Sequence, residues 1–122
     1  MASIILIIAA IVEFIRGLAG FFGSEAVSKL FGLEYIEGAL TYAHPLGALM
    51  LVFGVMFVIA SKDPLKNKFV MDIGILRYAL AFVSHFITLA MVGRLFLFFW
   101  VMVAIDLIFL ILFVISRPKA AA

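Results

Sequence analysis

Four long apolar runs follow one another along the chain, with short polar stretches between them. They cover residues 4–22, 40–60, 70–93 and 95–115. A run of about 20 residues, folded as an α-helix with a rise of about 1.5 Å per residue, crosses the hydrocarbon core of a bilayer. The pattern therefore predicts a single all-α domain of four transmembrane helices, which the short connections arrange as an antiparallel four-helix bundle.

The segment between the first two runs, residues 24–37, has a different pattern. Val27, Leu30 and Phe31 would share one face of a helix, with charged residues on the other faces. Ser24 is a suitable N-cap for that helix. We expect a short amphipathic helix on the membrane interface, and an ordered loop with a few apolar anchors is the alternative.

The composition assigns the chain to the integral membrane proteins. Of its 122 residues, 68% are hydrophobic, and the mean hydropathy is +1.36. A soluble domain has an apolar share of about 45 to 50%. The sequence contains no cysteine, which excludes disulfides and thiolate metal sites. So little of the chain lies outside the bilayer that we expect its partners to be membrane lipid and either other membrane subunits or a second copy.

Basic residues are unevenly divided between the two ends of the predicted bundle. Residues 61–68 hold three lysines, and Arg117 and Lys119 follow the last run. By the positive-inside rule, both termini and the 61–68 loop are expected in the cytoplasm, with residues 24–37 outside. The net charge of +2 comes from dispersed residues, so no nucleic-acid-binding surface is expected.

Charged residues inside the runs are the main candidates for function. A guanidinium at the bilayer centre costs about 2.5 to 3.5 kcal/mol on insertion scales, so Arg77 needs a counter-charge. Counting from the helix ends puts Glu13, Arg77 and Asp106 within about one turn of the same depth. Arg16 follows Glu13 by three positions. We expect an intramembrane ionic layer, which either fixes the packing of the helices or relays protons or ions through Glu13 and Asp106.

The two histidines allow a second interpretation. His44 and His85 are expected on neighbouring helices at similar depth, and two such imidazoles can ligate a haem b iron between them. The alternative is that each ring is bonded to a polar neighbour such as Ser84, Thr41 or Tyr42. The sequence shows no other set of metal ligands and no catalytic triad or phosphate-binding motif, so we assign no catalytic residue.

Several stretches resemble a known family. They are FGSEAVSKLFGLEY after the first run, AHPLGALMLVFGVMFVIASKDP in the second, an arginine and a histidine within the third, and RP after the fourth. Together they resemble the small four-helix membrane proteins of the DoxX-like group. Members of that group are commonly small subunits or accessory proteins, some of them linked to quinone-reducing oxidoreductases. The resemblance implies a class of role and carries over no functional residue.

The expected function is therefore that of a small non-catalytic accessory or anchor subunit of a larger membrane complex, with an electron-transfer or quinone-linked complex as one option. One alternative is a haem b membrane anchor that uses His44 and His85. The other is a small proton-coupled transporter that uses Glu13, similar in size to the small multidrug resistance proteins. That family's tryptophan and glycine signature is missing from the third run, and Arg77 is expected to neutralise Glu13.

Overall fold

A computed structural model describes residues 1–30, 32, 34, 37–94 and 97–119. Its helices are α1 (Ala2–Phe22), α2 (Ser24–Leu30), α3 (Leu40–Lys62), α4 (Lys68–Val92) and α5 (Leu97–Ser116), with a 3₁₀ turn over Glu37–Ala39. Four of them, α1, α3, α4 and α5, are long and apolar enough to cross a membrane. The predicted all-α membrane bundle with a short helix after the first span is confirmed.

The four long helices are neighbours in the cyclic order α1, α3, α4, α5, and α1 packs most extensively on α3. Glycines bring α1 and α3 together, because a Cβ on Gly47 would lie only 2.8 Å from the carbonyl oxygen of Gly17. Farther along, a Cβ on Gly54 would meet the Phe14 ring at 2.8 Å. Residue numbers thus rise along α1 as they fall along α3, so the two helices are antiparallel. Close backbone approach of this kind drives helix association in lipid.

An aromatic cluster fills one half of the bundle, the half that contains both chain termini and the connection between α3 and α4. The Tyr78 ring on α4 lies 5.3 Å from each of the Phe109 and Phe113 rings on α5, measured between centroids. Phe57 on α3 lies 5.2 Å from Phe113. Gly74 makes room for the cluster, because a Cβ there would overlap the Phe113 ring. We call this half the closed half and the opposite half the open half.

Polar contacts stabilise the outer end of the closed half. Arg117, just after α5, donates from Nε and Nη2 to the two carboxylate oxygens of Asp72 in the first turns of α4. These hydrogen bonds raise the pKa of Arg117 above its ordinary value. In the connection from α3 to α4, the Lys66 amide donates to the side chain of Asp63 at 3.1 Å. The first contact joins the start of α4 to the end of α5, and the second orders the turn between α3 and α4.

The segment between α1 and α3 differs from its prediction in one respect. Ser24 is not an N-cap, because its hydroxyl donates back to the Gly20 carbonyl at 3.2 Å. The first acceptor of α2 is the carbonyl of Gly23, which receives the Val27 amide at 2.8 Å. Gly23 is therefore the residue between α1 and α2, and Ser24 is the first residue of α2 and not its N-cap. Positions 31, 33, 35 and 36 of the predicted segment lie outside the described residues.

The turn after α4 needs a glycine. Gly93 has a φ of 84°, in the left-handed region, and its amide donates to the Leu89 carbonyl at 2.7 Å. This αL conformation ends the helix at almost no steric cost for glycine. Helix α5 begins at Leu97, and the predicted start of the fourth run at positions 95 and 96 lies outside the described residues.

Candidate functional site: an ionic layer beside an intramembrane cleft

Glu13 lies at the centre of the bundle with no exposed surface. Its Oε2 accepts a hydrogen bond from Arg77 Nη2 at 2.8 Å, and its Oε1 accepts one from the Tyr78 hydroxyl at 2.9 Å. Arg16 Nη1 lies 3.5 Å from the same Oε1. Because α1 and α4 are opposite one another in the cyclic order, these contacts join a diagonal of the bundle across its interior.

Asp106 on α5 is the second fully buried carboxylate. Its Oδ1 accepts a hydrogen bond from Arg16 Nη1 at 3.2 Å. Its Oδ2 lies 2.9 Å from Nε2 of His85 on α4, which donates to it. Arg16 therefore contacts both acids, and the polar chain runs from Tyr78 through Glu13, Arg16 and Asp106 to His85. From position 78 to position 85 it spans about 10 Å along α4.

Arg77 is stabilised by rings as well as by charge. Its guanidinium carbon lies 5.1 Å from the centre of the Phe53 ring and 4.9 Å from that of Tyr78. Such cation–π contacts are worth about 2 kcal/mol or more when desolvated. The Nε atoms of Arg16 and Arg77 are buried and have no hydrogen-bond partner among the described residues. The guanidinium groups are held by their terminal nitrogens and, for Arg77, by these ring faces.

A cleft of about 330 Å³ borders this layer in the open half. Its walls come from α3 and α4, and Arg16 and Asp106 close it on the side of α1 and α5. The α3 wall is apolar, and the α4 wall carries Arg77, Ala81, Ser84 and His85. Among the described residues, the lining is Arg16, Leu46, Leu49, Met50, Phe53, Arg77, Ala81, Ser84, His85 and Asp106. The volume is at the lower end of the roughly 300 to 1,000 Å³ typical of small-molecule sites.

The cleft opens sideways, between α3 and α4. Leu46 and Leu49 on its α3 wall are 53% and 54% exposed, and Ser84 on its α4 wall is also exposed. The arginine side chains are only 12% exposed and that of His85 only 16%. The charged groups and His85 therefore lie at the inner end of the cleft, and Leu46, Leu49 and Ser84 lie at its exposed mouth.

The structure brings the sequence-predicted residues of the layer together in two pairs. Arg77 bonds Glu13, and Arg16 bonds Asp106 and lies near Glu13. Two members were missed. A tyrosine inside a span needs a partner for its hydroxyl, which could have pointed to Tyr78. Depth counting could have paired His85 with Asp106, because from opposite surfaces both lie near the middle of their spans.

The histidines have separate surroundings. His85 bonds Asp106 and lines the cleft, and its predicted alternative partner Ser84 instead donates to the Ala81 carbonyl at 2.7 Å. His44 is exposed, stacks on Phe21 with ring centroids 5.8 Å apart, and does not line the cleft. Haem ligation by both rings stays a prediction, to which this geometry adds no support.

No group of three or more histidine, cysteine, aspartate or glutamate side chains that could hold a metal ion occurs within the described part of the chain. Comparison of the chain with protein-family models, with curated proteins and with solved structures finds no match. The ionic layer and the cleft are therefore the observations from which a function can be argued.

Proposed function

We propose that this protein is a small accessory subunit of a quinone-linked membrane complex, and that its intramembrane cleft binds the quinone. The observation that carries the proposal is the position of the cleft. It opens towards acyl chains between α3 and α4 and ends at Arg16, Arg77 and His85. A ligand that reaches this site from the bilayer needs an apolar body and a head that accepts hydrogen bonds.

The charges of the ionic layer favour a ligand with a neutral head group. The layer contains two guanidinium groups, of Arg16 and Arg77, and two carboxylates, of Glu13 and Asp106, so its charges cancel when His85 is neutral. An acidic head would add an uncompensated negative charge at membrane depth, which is costly in a low-dielectric site. A quinone head has two carbonyl oxygens and no charge, so it can accept hydrogen bonds and adds no charge of its own to the layer.

The dimensions of the cleft favour a ligand whose ring lies inside the cleft and whose tail lies outside it. A volume of about 330 Å³ suits a substituted ring rather than a whole lipid. Phe53, Met50 and Leu49 supply apolar contacts for a flat ring, and the mouth beside Leu46 lets an isoprenoid tail continue into lipid. In this orientation the head group of the ligand meets Arg16, Arg77 and His85 at the inner end of the cleft.

An accessory role follows from the same chemistry. Reduction of a quinone consumes two electrons, and the described side chains that line the cleft include no redox group. In the proposal, a flavin or metal centre of another subunit supplies those electrons. The resemblance to the DoxX-like group agrees with this role. The lysines at positions 62, 66 and 68 and the basic tail support an orientation with both termini in the cytoplasm.

A photoaffinity quinone tests the proposal. The protein is reconstituted in nanodiscs of neutral phospholipid and labelled with an azido derivative of a short-chain ubiquinone, with decylubiquinone as competitor. Labelled peptides should come from α3 and α4 around the cleft, and labelling should saturate. Ala81→Leu, which fills part of the cleft, should weaken the apparent affinity about tenfold, a loss of about 1.4 kcal/mol.

Ala90→Leu is the matched control. Position 90 is on the same helix, is exposed and is not part of the cleft lining, so this variant should bind like the wild type. Labelling spread over all four helices and unaffected by Ala81→Leu would refute a quinone site. Displacement of the label by oleate at lower concentration than by decylubiquinone would show instead that the cleft takes an acidic amphiphile.

A further inference from the structure

The two nitrogens of His85 are not equivalent. Nε2 lies 2.9 Å from the Asp106 carboxylate, which is itself held by Arg16 at 3.2 Å. Among the described contacts of this ring, no other hydrogen bond occurs, and His85 lines the cleft. Because Nε2 is committed to Asp106, Nδ1 is the polar atom that the imidazole can present to a bound head group. The contact with Asp106 therefore determines which nitrogen is available to the head group.

The role of Nδ1 depends on the charge of the ring. In the neutral imidazole, Nε2 carries the hydrogen that it donates to Asp106, so Nδ1 is an acceptor. In the imidazolium, both nitrogens carry a hydrogen, so Nδ1 becomes a donor. A quinone offers only carbonyl acceptors, whereas a quinol offers hydroxyl donors. The imidazolium therefore pairs with the oxidised ligand and the neutral imidazole with the reduced one.

We infer that His85 selects the oxidation state of the quinone in the cleft through its own protonation, with Asp106 as the residue that positions it. This inference rests on the proposed quinone site. Where the ring of the free protein is neutral, binding of the oxidised ligand is coupled to uptake of one proton; where that ring is charged, binding of the reduced ligand is coupled to release of one. Such a site shifts the balance between quinone and quinol as the pH changes.

Among the described residues that line the cleft, Asp106 is the one titratable side chain besides His85 and the two arginines, and the Asp106→Asn variant separates its effect from that of the ring. The charged groups that face it are Arg16 from α1, Arg77 from its own helix and Asp106 from α5, whereas α3 contributes only apolar side chains to the cleft. Both arginines remain protonated at any pH at which the protein would be studied. Glu13 lies behind them, bonded to Arg77 and Tyr78, and does not line the cleft.

The test compares both redox forms of one ligand. Dissociation constants of decylubiquinone and decylubiquinol are measured in nanodiscs across roughly pH 5 to 8, the range in which an imidazole changes its charge. The oxidised form should bind more weakly as the pH rises, and the reduced form more tightly. Each slope should approach about tenfold per pH unit on the side where the required form of His85 is scarce.

The chain supplies its own control, because it contains only two histidines. His85→Gln should bind both forms with affinities that no longer depend on pH, whereas His44→Gln, outside the cleft, should keep both slopes. Asp106→Asn should reduce the difference between the two forms, because the ring is no longer held in one orientation. If His85→Gln does not fold, the slopes of wild type, His44→Gln and Asp106→Asn together assign the titrating group, because slopes that persist in both variants leave His85.

The outcomes separate this inference from the proposed function. If both ligands bind the wild type with affinities that do not change with pH, or change in the same direction, His85 does not select the oxidation state while the quinone site stands. Loss of both slopes in His44→Gln would also refute the role of His85. If neither ligand binds at any pH, the proposed quinone site fails, and the inference fails with it.

Discussion

The closed and open halves of the bundle use the same four helices in different ways. In the closed half, Phe57, Tyr78 and Phe113 have no exposed surface, and their rings fill the space among α3, α4 and α5. In the open half, the buried residues of α4 end at Tyr78, and the gap between α3 and α4 becomes the cleft. The ionic layer lies at the boundary between the two.

This difference separates the residues that stabilise the bundle from those that line the proposed binding site. The closed half supports the carboxylate of Glu13 from one side, through the hydroxyl of Tyr78. The open half leaves parts of Arg16, Arg77 and His85 exposed at the cleft. A rigid half that holds the charged groups in place allows the other half to keep a cavity, because preorganised polar groups need little rearrangement when a ligand binds. Substitutions in the two halves should therefore have different effects.

Loss of the Glu13 charge should have the largest effect on stability. Glu13→Gln leaves two guanidinium groups with one carboxylate at membrane depth, and removing one partner of a buried ion pair costs about 3 to 5 kcal/mol. The free energy of unfolding in mixed micelles, measured by denaturant titration, checks this. The double variant Glu13→Gln with Arg77→Met restores the charge balance and should recover more than half of the loss. A single variant as stable as the wild type would mean that the layer does not hold the halves together.

Removal of an aromatic ring from the closed half should have the next largest effect. Phe113→Ala removes a ring with no exposed surface. Because the separated helices remain in apolar surroundings, the transfer term is small, and a void of about 100 Å³ at about 24 cal/mol per Å³ gives a loss of about 2 kcal/mol. The matched variant Leu49→Ala removes a half-exposed side chain at the cleft, where no new enclosed void forms, and should cost less than about 0.5 kcal/mol. The same denaturant titration compares the two. Equal losses would contradict the division into a closed and an open half.

A smaller effect should show that α1 and α3 pack closely in the open half. Gly47→Ala places a Cβ 2.8 Å from the Gly17 carbonyl and forces α1 and α3 apart. Overpacking of one methyl group should cost about 1 kcal/mol. Gly38→Ala is the control, since a Cβ there meets nothing within 4 Å. If both variants unfold at the same denaturant concentration, the contact between α1 and α3 is looser than its geometry implies.

Local properties of the chain determine the spans. A helix crosses the bilayer when its apolar run is long enough, and that length can be read from the sequence without knowledge of any neighbour. The same reasoning places Glu13, Arg77 and Asp106 near one depth, because depth depends only on the count of residues from a helix end. The glycine turn at Gly93 is equally local, since its left-handed φ needs a residue without a side chain.

Tertiary structure decided which partners meet at that depth. Arg77 bonds Glu13, whereas Asp106 pairs with Arg16 and His85, and this choice depends on the order of the helices around the bundle and on the rotation of each about its axis. The cleft depends on the same two quantities, because it is the space that α3 and α4 leave between them. Residue spacing along one helix contains neither quantity. The count of depths allowed Arg77 to meet Glu13 and His85 to meet Asp106 but did not choose among the possible pairs, and it gave no indication of the contact between Arg16 and Asp106 or of the cavity.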